Sequence, residues 1–239
     1  MNVLLTGASG GIGNSILVNL LDAGHDVVAT FCSANESDLA QDHKVKWVKV
    51  DLSNSASVKN LLMSLNDIDV VIHCAGIAKS ALIGKQDLIS IQEQISINLT
   101  SSILIIDELV PKMFSRGFGR VVLFGSIVGR DGSIGLSTYA ACKSAQMGLV
   151  KSVAREIPNL NKRFERTTDF TINLVSPGYT ETPMTNLMPK HVKDLIVSRA
   201  ATGRFVETSE VVRLVEFLIS KESASICGAE LEINGGSFL

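Results

Sequence analysis

The chain has 239 residues, of which 46% are hydrophobic and 5% aromatic, and a formal net charge of −2. This aliphatic content is enough for a large buried core, and the mixed charges provide no basic stripe for a nucleic-acid backbone. The four cysteines, Cys32, Cys74, Cys142 and Cys227, show no CxxC or Cys/His spacing, so the sequence predicts neither a metal site nor a disulfide framework.

Short apolar segments alternate with longer amphipathic ones, a pattern typical of βαβ units around a parallel sheet. Strands are predicted at Val3–Thr6, Asp26–Thr30, Val45–Val50, Val70–His73, Arg120–Phe124, Phe170–Val175 and Glu230–Ile233. Helices are predicted at Ile12–Ala23, Ser53–Leu65, Asp87–Ser115, Tyr139–Ile157 and Thr208–Ser220. The order predicts one α/β domain over residues 1–239, a doubly wound three-layer α/β/α sandwich with a seven-stranded parallel sheet.

Some local signals refine these elements. Pro158 is expected to end the helix before it, and Thr208 with Ser209 is expected to cap the last helix. Periodicity lapses over Pro158–Asp169, which suggests a surface excursion, and over Gly178–Ala201, which suggests a mobile flap.

The first residues enter a strand directly and leave no room for a targeting segment. The apolar runs are far shorter than the ~20 residues needed to span a bilayer. We therefore expect a soluble cytoplasmic protein with no membrane partner.

The first predicted strand runs into a glycine-rich turn, TGASGGIG, which opens a helix. Glycines let the backbone turn tightly and approach a pyrophosphate closely, and the helix start favours its negative charge. A purely structural tight turn is the alternative, but the strand–turn–helix order is the one that dinucleotide binding requires. The cofactor-binding candidates in this turn are Gly7, Ser9, Gly10, Gly11, Ile12 and Gly13.

The second predicted strand ends at Thr30 and is followed by Phe31, Cys32 and Ser33. An NAD-binding site commonly places a carboxylate here, on the ribose 2′-OH. None is present, and no Arg or Lys is present for a 2′-phosphate either. The sequence therefore favours NADP(H) over NAD(H), with Thr30 and Ser33 as hydroxyl donors.

Two further strand ends are cofactor-binding candidates. Asp51, followed by Leu52, could accept from an adenine amino group, or it could only cap the helix near Ser53. The fourth strand ends in His73, and the small residues after it would let the chain pass close to a ribose: Cys74, Ala75 and Gly76.

Ser126 follows the fifth predicted strand, and Tyr139 and Lys143 stand at i and i+4 of one helix, so their side chains share a face. A phenol with a reference pKa near ~10 needs a nearby cation to exchange protons at neutral pH. A Tyr/Lys pair at this spacing also occurs by chance on ordinary helix faces, where the lysine is simply solvated and has no catalytic role. The ordered combination with the glycine turn and a later SPG turn favours catalysis.

With these motifs the chain resembles the short-chain dehydrogenase/reductase family over its full length, which implies a Rossmann-type fold. The family pattern TGxxxGxG, Ser, YxxxK and PG is matched by Thr6–Gly13, Ser126, Tyr139/Lys143 and Pro177-Gly178. The resemblance implies that Ser126 orients the substrate oxygen, that Tyr139 is the general acid in reduction, and that Lys143 lowers the Tyr139 pKa and binds the nicotinamide ribose.

Other roles follow from the same resemblance. The Asn98 main chain would hold a water that relays protons toward Lys143. Ile127, Val128 and Gly129, and the segment Ser176–Met184 after the sixth strand, would line the nicotinamide and substrate sides. In that segment Thr180 and Thr182 would bond the carboxamide or pyrophosphate, or Thr182 would only cap a helix. The family's usual NNAG appears here as His73-Cys74-Ala75-Gly76, which changes the side chains of that stretch.

The chain is most similar to the 3-oxoacyl-(acyl-carrier-protein) reductases, which implies reduction of a β-ketoacyl thioester with NADPH. Arg116, Arg120, Arg163 and Arg166 could face an acidic carrier protein, or they could be ordinary solvated arginines. The alternatives are a reductase for a sugar, steroid-like or other small carbonyl compound, and a non-catalytic nucleotide-sensing regulator or scaffold. The resemblance also implies a homo-oligomer, a tetramer or a dimer.

Overall fold

The structure, a computed structural model, describes residues 1–35 and 39–237. These residues form a seven-stranded sheet whose neighbouring strands are all parallel. The strands are β1 Asn2–Thr6, β2 Asp26–Phe31, β3 Val45–Lys49, β4 Val70–His73, β5 Phe118–Phe124, β6 Asp169–Pro177 and β7 Glu230–Ile233. Each predicted strand is confirmed within two residues at either end.

Helices cover both faces of the sheet. They are α1 Gly11–Asp22, α2 Ser55–Met63, α3 Leu88–Ile95, α4 Ser101–Arg116, α5 Ile127–Asp131, α6 Ser137–Arg163, α7 Pro183–Asn186, α8 Lys190–Arg199 and α9 Thr208–Ile219. The core on one face packs α2, α4 and α6 against the sheet, and the core on the other packs α1 and α9. Both faces are buried, which explains the nearly continuous apolar runs in the central strands. The three-layer prediction is confirmed.

The strand order is β3-β2-β1-β4-β5-β6-β7, so the chain reverses direction across the sheet between β1 and β4. Thr6 is paired with His73 at the carboxyl ends of these two strands. In doubly wound sheets ligands bind in the crevice beyond such a reversal. The glycine turn after β1 and the residues after β4 therefore meet in one crevice.

Pro158 does not end its helix, and that prediction is wrong. Helix α6 continues to Arg163. Ile157, at the predicted end, and Leu160 and Phe164, beyond it, pack against the core. An interior proline costs about 3 kcal/mol locally. The helical spacing places these three apolar side chains against the core, and their burial offsets that cost.

Two other local predictions differ from the structure in detail. The Gly178–Ala201 segment, in which the sequence shows no clear periodicity, contains the helices α7 and α8, and its mobility stays a prediction. The residue that precedes α9 in the cap position is Glu207 and not Thr208; the Glu210 carboxylate accepts a hydrogen bond from the Glu207 main-chain N–H.

The long helix predicted at Asp87–Ser115 is present but not regular. Asp87 caps α3, and one π-helical turn, Ser96–Thr100, joins α3 to α4. Gly117 ends α4 in the left-handed conformation, with φ +89°. Asn98 lies within the π turn and is fully buried.

Arg120 does not contribute to a positive surface, which contradicts the sequence-based interpretation. Its side chain is fully buried and forms an ion pair of 2.8 Å with Asp169. Arg116 donates to the main-chain oxygens of Asn66 and Ile68. Arg163 and Arg166 are exposed, so two of the four arginines remain open to solvent.

Among residues 1–35 and 39–237, no helix has both the length and the apolar character needed to cross a bilayer. The same part of the chain contains no group of three or more His, Cys, Asp or Glu side chains arranged to hold a metal ion.

Candidate active site

The glycine turn after β1 is packed so closely that it has no space for side chains at three of its glycines. Gly7 has φ +69°, and a Cβ built on it would lie 2.7 Å from the Ala75 Cα. A Cβ on Gly13 would lie 2.1 Å from the Gly7 carbonyl oxygen, and one on Gly11 would lie 2.8 Å from the Thr182 Cβ. Any side chain at these positions would therefore deform the turn or close the crevice.

Helix α1 begins at the floor of this crevice. Gly10 precedes it in an extended conformation, and no described side chain caps its first turn. The first N–H groups of a helix have no partner within the helix, and the helix dipole favours an anion beside them. The turn can therefore hold a phosphate or pyrophosphate.

The crevice is a cavity of about 710 Å³ along the carboxyl ends of β1 to β4. It contains predicted cofactor-binding residues from each of these strand ends and one from the segment after β6: Gly7, Ser9, Gly10, Gly11, Ile12, Gly13, Thr30, Ser33, Asp51, Leu52, Cys74, Ala75, Gly76 and Thr182. It is also lined by residues that sequence reasoning did not select: Phe31, Cys32, Val50, Ile77, Glu93, Ile97 and Pro183.

Asp51 lies on the wall of this cavity but does not cap α2. The cap is Asn54, whose Oδ1 accepts from the Ala56 and Ser57 main-chain N–H groups. The Asp51 Oδ1 accepts instead from the Ser53 N–H at 2.9 Å and from the Ser53 hydroxyl at 2.6 Å. Capping of α2 therefore does not account for this carboxylate.

A second cavity, of about 280 Å³, adjoins the first. Ser126, Tyr139 and Lys143 line it, so three of the four predicted catalytic residues come together in this cavity. The two cavities have five lining residues in common: Ile12, Cys74, Gly76, Ile77 and Thr182. A dinucleotide along the first cavity would reach the catalytic side chains in the second.

The Ser126 and Tyr139 side chains lie in the same cavity. Burial raises the pKa of the Tyr139 phenol, and the nearby Ser126 side chain opposes that effect in part. The net direction is upward, so the phenol is protonated at neutral pH. Tyr139 is therefore in the state needed to give a proton to a substrate oxygen.

Lys143 is almost completely buried at the base of the second cavity. Its Nζ donates a 2.6 Å hydrogen bond to the Phe124 main-chain oxygen and lies 5.7 Å from the centroid of the Tyr139 ring. Burial lowers the pKa of Lys143 to about 8. The ammonium form therefore still predominates at neutral pH, close to the phenol.

Asn98 lines neither cavity but supports the boundary between them. Its Oδ1 accepts from the Ile77 N–H at 3.0 Å, and its Nδ2 donates to the Ile77 carbonyl oxygen at 2.8 Å. A Cβ on Gly76 would lie 2.8 Å from the Asn98 Oδ1 and 3.4 Å from the Lys143 Nζ. The glycine lets Asn98 and Lys143 approach each other through the strand end.

His73 is buried between β1 and α4 in a continuous hydrogen-bonded chain. Its Nδ1 lies 2.8 Å from the Thr6 hydroxyl, and its Nε2 lies 3.0 Å from the Ser101 hydroxyl. Ser101 donates to the Ile97 carbonyl oxygen, so Nε2 must carry the imidazole proton and Nδ1 must accept from Thr6. Burial lowers the pKa of His73 to about 3, which keeps the ring neutral.

Cys74, the next residue, lines both cavities. Its surroundings raise the pKa of its thiol to about 12 through burial, although the charge of Lys143 acts in the opposite direction. The thiol is therefore uncharged at neutral pH, and it contributes shape rather than charge to the site.

The segment after β6 forms the opposite wall of the second cavity with Pro177, Gly178, Thr180 and Thr182. Thr182 is the N-cap of α7, so the capping alternative is confirmed, and the same residue also lines both cavities. The Thr180 hydroxyl donates to the Gly178 carbonyl oxygen at 3.1 Å.

Three further lining residues of the second cavity belong to the segments predicted to line the nicotinamide and substrate sides: Ile127, Val128 and Tyr179. The other lining residues were not predicted: Ile77, Ala78, Phe124, Gly125, Leu136, Thr185 and Met188. Several of them follow β4 or β5, so the position after a strand end was the signal available in the sequence. Leu136 and Met188 had no such signal, because loops bring them to the cavity.

The chain is similar to known proteins over almost its full length. The family model described as Enoyl-(Acyl carrier protein) reductase matches residues 7–237. The 3-oxoacyl-(acyl-carrier-protein) reductase FabG of Escherichia coli (strain K12) is 30% identical over 243 residues, which cover 99% of this chain and 96% of that protein.

Two solved structures have the same fold. One, titled "short chain dehydrogenase/reductase family protein", has a TM-score of 0.86 and 27% identity and covers 99% of this chain and 96% of its own. A 4-hydroxyisoleucine dehydrogenase mutant complexed with NADH and succinate has a TM-score of 0.89 and 26% identity over 99% and 98% of the two chains. From its sequence, its fold and the arrangement of Ser126, Tyr139 and Lys143, the chain belongs to the short-chain dehydrogenase/reductase family of oxidoreductases.

Proposed function

We propose that this protein reduces the carbonyl group of a 3-oxoacyl thioester to a secondary alcohol with NADPH. The observation that carries the proposal is the adjacency of the Ser126–Tyr139–Lys143 group to the glycine-lined crevice. The FabG name of a relative at 30% identity supports a 3-oxoacyl substrate.

The residues of the crevice fit a dinucleotide. Other atoms lie so close to Gly7, Gly11 and Gly13 that no side chain fits at these positions. The turn thereby keeps space for a pyrophosphate beside the backbone. When bound, the nicotinamide supplies the hydride. Lys143 lines the second cavity next to Gly76, a residue shared by both cavities, and would hold the nicotinamide ribose.

In this mechanism the protein positions the carbonyl and supplies the proton. Ser126 holds the substrate oxygen beside the Tyr139 phenol, and Tyr139 donates its proton to that oxygen as negative charge develops there. The Lys143 ammonium stabilises the phenolate that remains. The raised pKa of Tyr139 keeps the phenol protonated at neutral pH, as the proton donor in reduction must be.

The proposed preference for NADPH rests on the end of β2. Thr30 and Ser33 line the crevice there and offer hydroxyl groups, and neither residue would repel a 2′-phosphate. A carboxylate at the same place would repel that phosphate. Residues 36–38 lie outside the described part of the chain.

The experiment is an initial-rate measurement with acetoacetyl-CoA, using NADPH and NADH in parallel. We expect kcat/KM to be about tenfold or more higher with NADPH, the size of effect that one or two charge-assisted hydrogen bonds produce. Equal rates would refute the cofactor preference alone. No thioester reduction with either cofactor would refute the substrate class.

A second candidate is a dehydrogenase for a small hydroxylated compound that uses NADH. The observation in its favour is the similarity to a 4-hydroxyisoleucine dehydrogenase structure that contains NADH and succinate. A panel of small alcohols with NAD⁺ would reveal this activity, and the absence of thioester reduction in the same preparation would favour it.

We also propose a homo-oligomer in which α3, α4 and α6 pack between subunits. Four large apolar side chains on and beside α3 and α4 are exposed in the single chain: Leu88, Ile89, Ile95 and Ile103. Exposed apolar surface of this kind is typical of a subunit contact. Sedimentation at the monomer mass would refute this assembly.

Docking of an acyl carrier protein is proposed at Arg163 and Arg166, because both are exposed, whereas Arg120 is buried and Arg116 is only partly exposed. The Arg166 guanidinium also donates to the Ser115 main-chain oxygen at 2.8 Å. Reversal of both exposed charges to Glu should raise KM for a carrier-bound substrate and leave KM for acetoacetyl-CoA unchanged. An unchanged KM for both substrates would place carrier docking elsewhere.

A further inference from the structure

Gln146 is a buried polar residue without a role in the mechanism above. It lies three residues after Lys143 on α6 and is 1% exposed. Residues three apart on a helix share a face, so Gln146 and Lys143 are presented to the same neighbours. The neighbour at Gln146 is the π-helical turn that contains Asn98.

The Gln146 amide connects α6 to that turn. Its Nε2 donates to the Asn98 main-chain oxygen and, at 2.7 Å, to the Ser102 hydroxyl. Only the NH₂ end of the amide can approach a carbonyl oxygen so closely, so the orientation is fixed by chemistry. The Gln146 Oε1 has no hydrogen-bond partner within the described residues.

This arrangement is costly for a side chain that only fills space. An apolar side chain of equal size would pack here without leaving an acceptor unbonded. The contribution that only the amide can make is its pair of N–H bonds to Asn98 and Ser102. A π turn is a local departure from regular helix, and such turns are frequent at functional sites.

Asn98, which accepts a bond from Gln146, is itself close to the catalytic group. Its side-chain Oδ1 and Nδ2 are both hydrogen-bonded to the main chain of Ile77, and Ile77 lines both cavities. The Asn98 Oδ1 and the Lys143 Nζ both converge on Gly76. A shift of the π turn would therefore move the Asn98 side chain, and with it both the hydrogen bonds to Ile77 and the contacts around the Lys143 ammonium.

From this geometry we infer that Gln146 is a positioning residue, which holds Asn98 and thereby sets the position of the Lys143 ammonium relative to the Tyr139 phenol. The inference rests on the proposed function for its kinetic consequence. It also has a consequence that requires no turnover, because the pKa of Lys143 depends on how deeply its ammonium group is buried.

The test compares three variants. Gln146→Met keeps the length of the side chain and removes its N–H groups. Ser102→Ala is the matched control, since it removes one acceptor of the same amide and leaves the bond to Asn98. Gln146→Asn keeps the amide on a shorter side chain and replaces Gln146→Met if that variant does not fold.

The first measurement is the pKa of Lys143, followed through the ¹⁵N chemical shift of its Nζ, with Lys143→Met used to identify the signal. Burial holds this pKa at about 8. Gln146→Met is expected to raise it by about half a pH unit or more, because an ammonium group that moves from its position loses part of its buried environment. Ser102→Ala is expected to leave it unchanged.

The second measurement is kcat with NADPH and acetoacetyl-CoA. Gln146→Met is expected to lower kcat about tenfold or more while the Kd for NADPH stays within about twofold, as displacement of catalytic groups does. Wild-type inactivity would contradict the proposed function, whereas the titration of Lys143 would still decide the role of Gln146. An unchanged pKa of Lys143 in Gln146→Met, or an equal change in Ser102→Ala, would overturn the inference.

Discussion

Lys143 donates a 2.6 Å hydrogen bond to the main-chain oxygen of Phe124, the last residue of β5. The bond ties the cation on α6 to the strand that Ser126 follows. Two members of the catalytic group are thereby positioned by the same strand end, and Tyr139 lies one helical turn before Lys143. The group is held by regular elements rather than by loops.

Removal of the Tyr139 hydroxyl should remove turnover and not cofactor binding. In Tyr139→Phe we expect kcat to fall about 10²–10⁴-fold, the usual contribution of a positioned proton donor. The Kd for NADPH, measured by fluorescence, should change little, because the ring remains in place. Tyr179→Phe is the matched control and should keep most of the activity, since Tyr179 lines the cavity without belonging to the catalytic group. Comparable losses in both variants would refute the assignment of Tyr139.

Replacement of Lys143 should stabilise the protein while abolishing its activity. A fall in pKa from 10.5 to about 8 corresponds to about 3 kcal/mol, of which the lost bond to Phe124 would offset about 1 kcal/mol. Lys143→Met should therefore raise the free energy of unfolding at pH 7 by about 2 kcal/mol.

The pH dependence of that difference has a definite sign. Because the pKa of Lys143 is lowered on folding, the unfolded chain binds more protons between about pH 8 and 10.5, and wild-type stability rises with pH across that interval. The advantage of Lys143→Met should shrink over the same range in urea titrations. A constant difference from pH 7 to 10 would contradict burial as the cause of the shift.

His73 should make the protein sensitive to mild acid. Its pKa falls from 6.5 in the unfolded chain to about 3 in the folded one, so stability is complete above pH 6.5 and is lost as the pH falls toward 3. Between pH 7 and pH 5 the loss should be about 2 kcal/mol. His73→Asn should remove this component of the pH dependence.

The control for that prediction is His43→Asn. The His43 side chain is 84% exposed, so its replacement should leave the slope of stability against pH unchanged. Equal slopes in wild type and His73→Asn, measured by urea unfolding at both pH values, would show that the buried imidazole does not control acid stability.

Two glycine-to-alanine changes should have opposite effects. At Gly13 the new Cβ would lie 2.1 Å from the Gly7 carbonyl oxygen, so Gly13→Ala should cost about 2 kcal/mol of stability and weaken NADPH binding. At Gly148, on α6, nothing lies within 4 Å of the new Cβ, so Gly148→Ala should stabilise the protein by about 0.5–1 kcal/mol. Thermal unfolding and NADPH titration check both. Normal NADPH binding by Gly13→Ala would contradict the role of the turn.

The strands and the glycine turn could be predicted because their signals are local. TGASGGIG contains its own turn chemistry, and the apolar runs of the central strands reflect burial on both faces. The Tyr139/Lys143 pair could be found because a helix places i and i+4 on one face.

The errors arose where distant contacts outweigh local preference. Pro158 has a strong local tendency to end a helix, yet Phe164 packs on Phe114, from α4, with 6.2 Å between ring centroids, and the helix extends to bring it there. Arg120 looks like a surface residue in sequence, but Asp169 on the neighbouring strand neutralises it in the interior. Neither partner is near in sequence.

The π-helical turn at Ser96–Thr100 adds one residue to the helical chain between Leu88 and Arg116, compared with a single regular α-helix over the same path. Each residue of an α-helix advances the direction of its side chain by about 100°. The extra residue therefore sets the rotational phase between α3, which lies beside the crevice, and α4, which packs into the core. Deletion of a single residue within the turn would give a straighter and more regular helix, but it would point Asn98 away from Ile77.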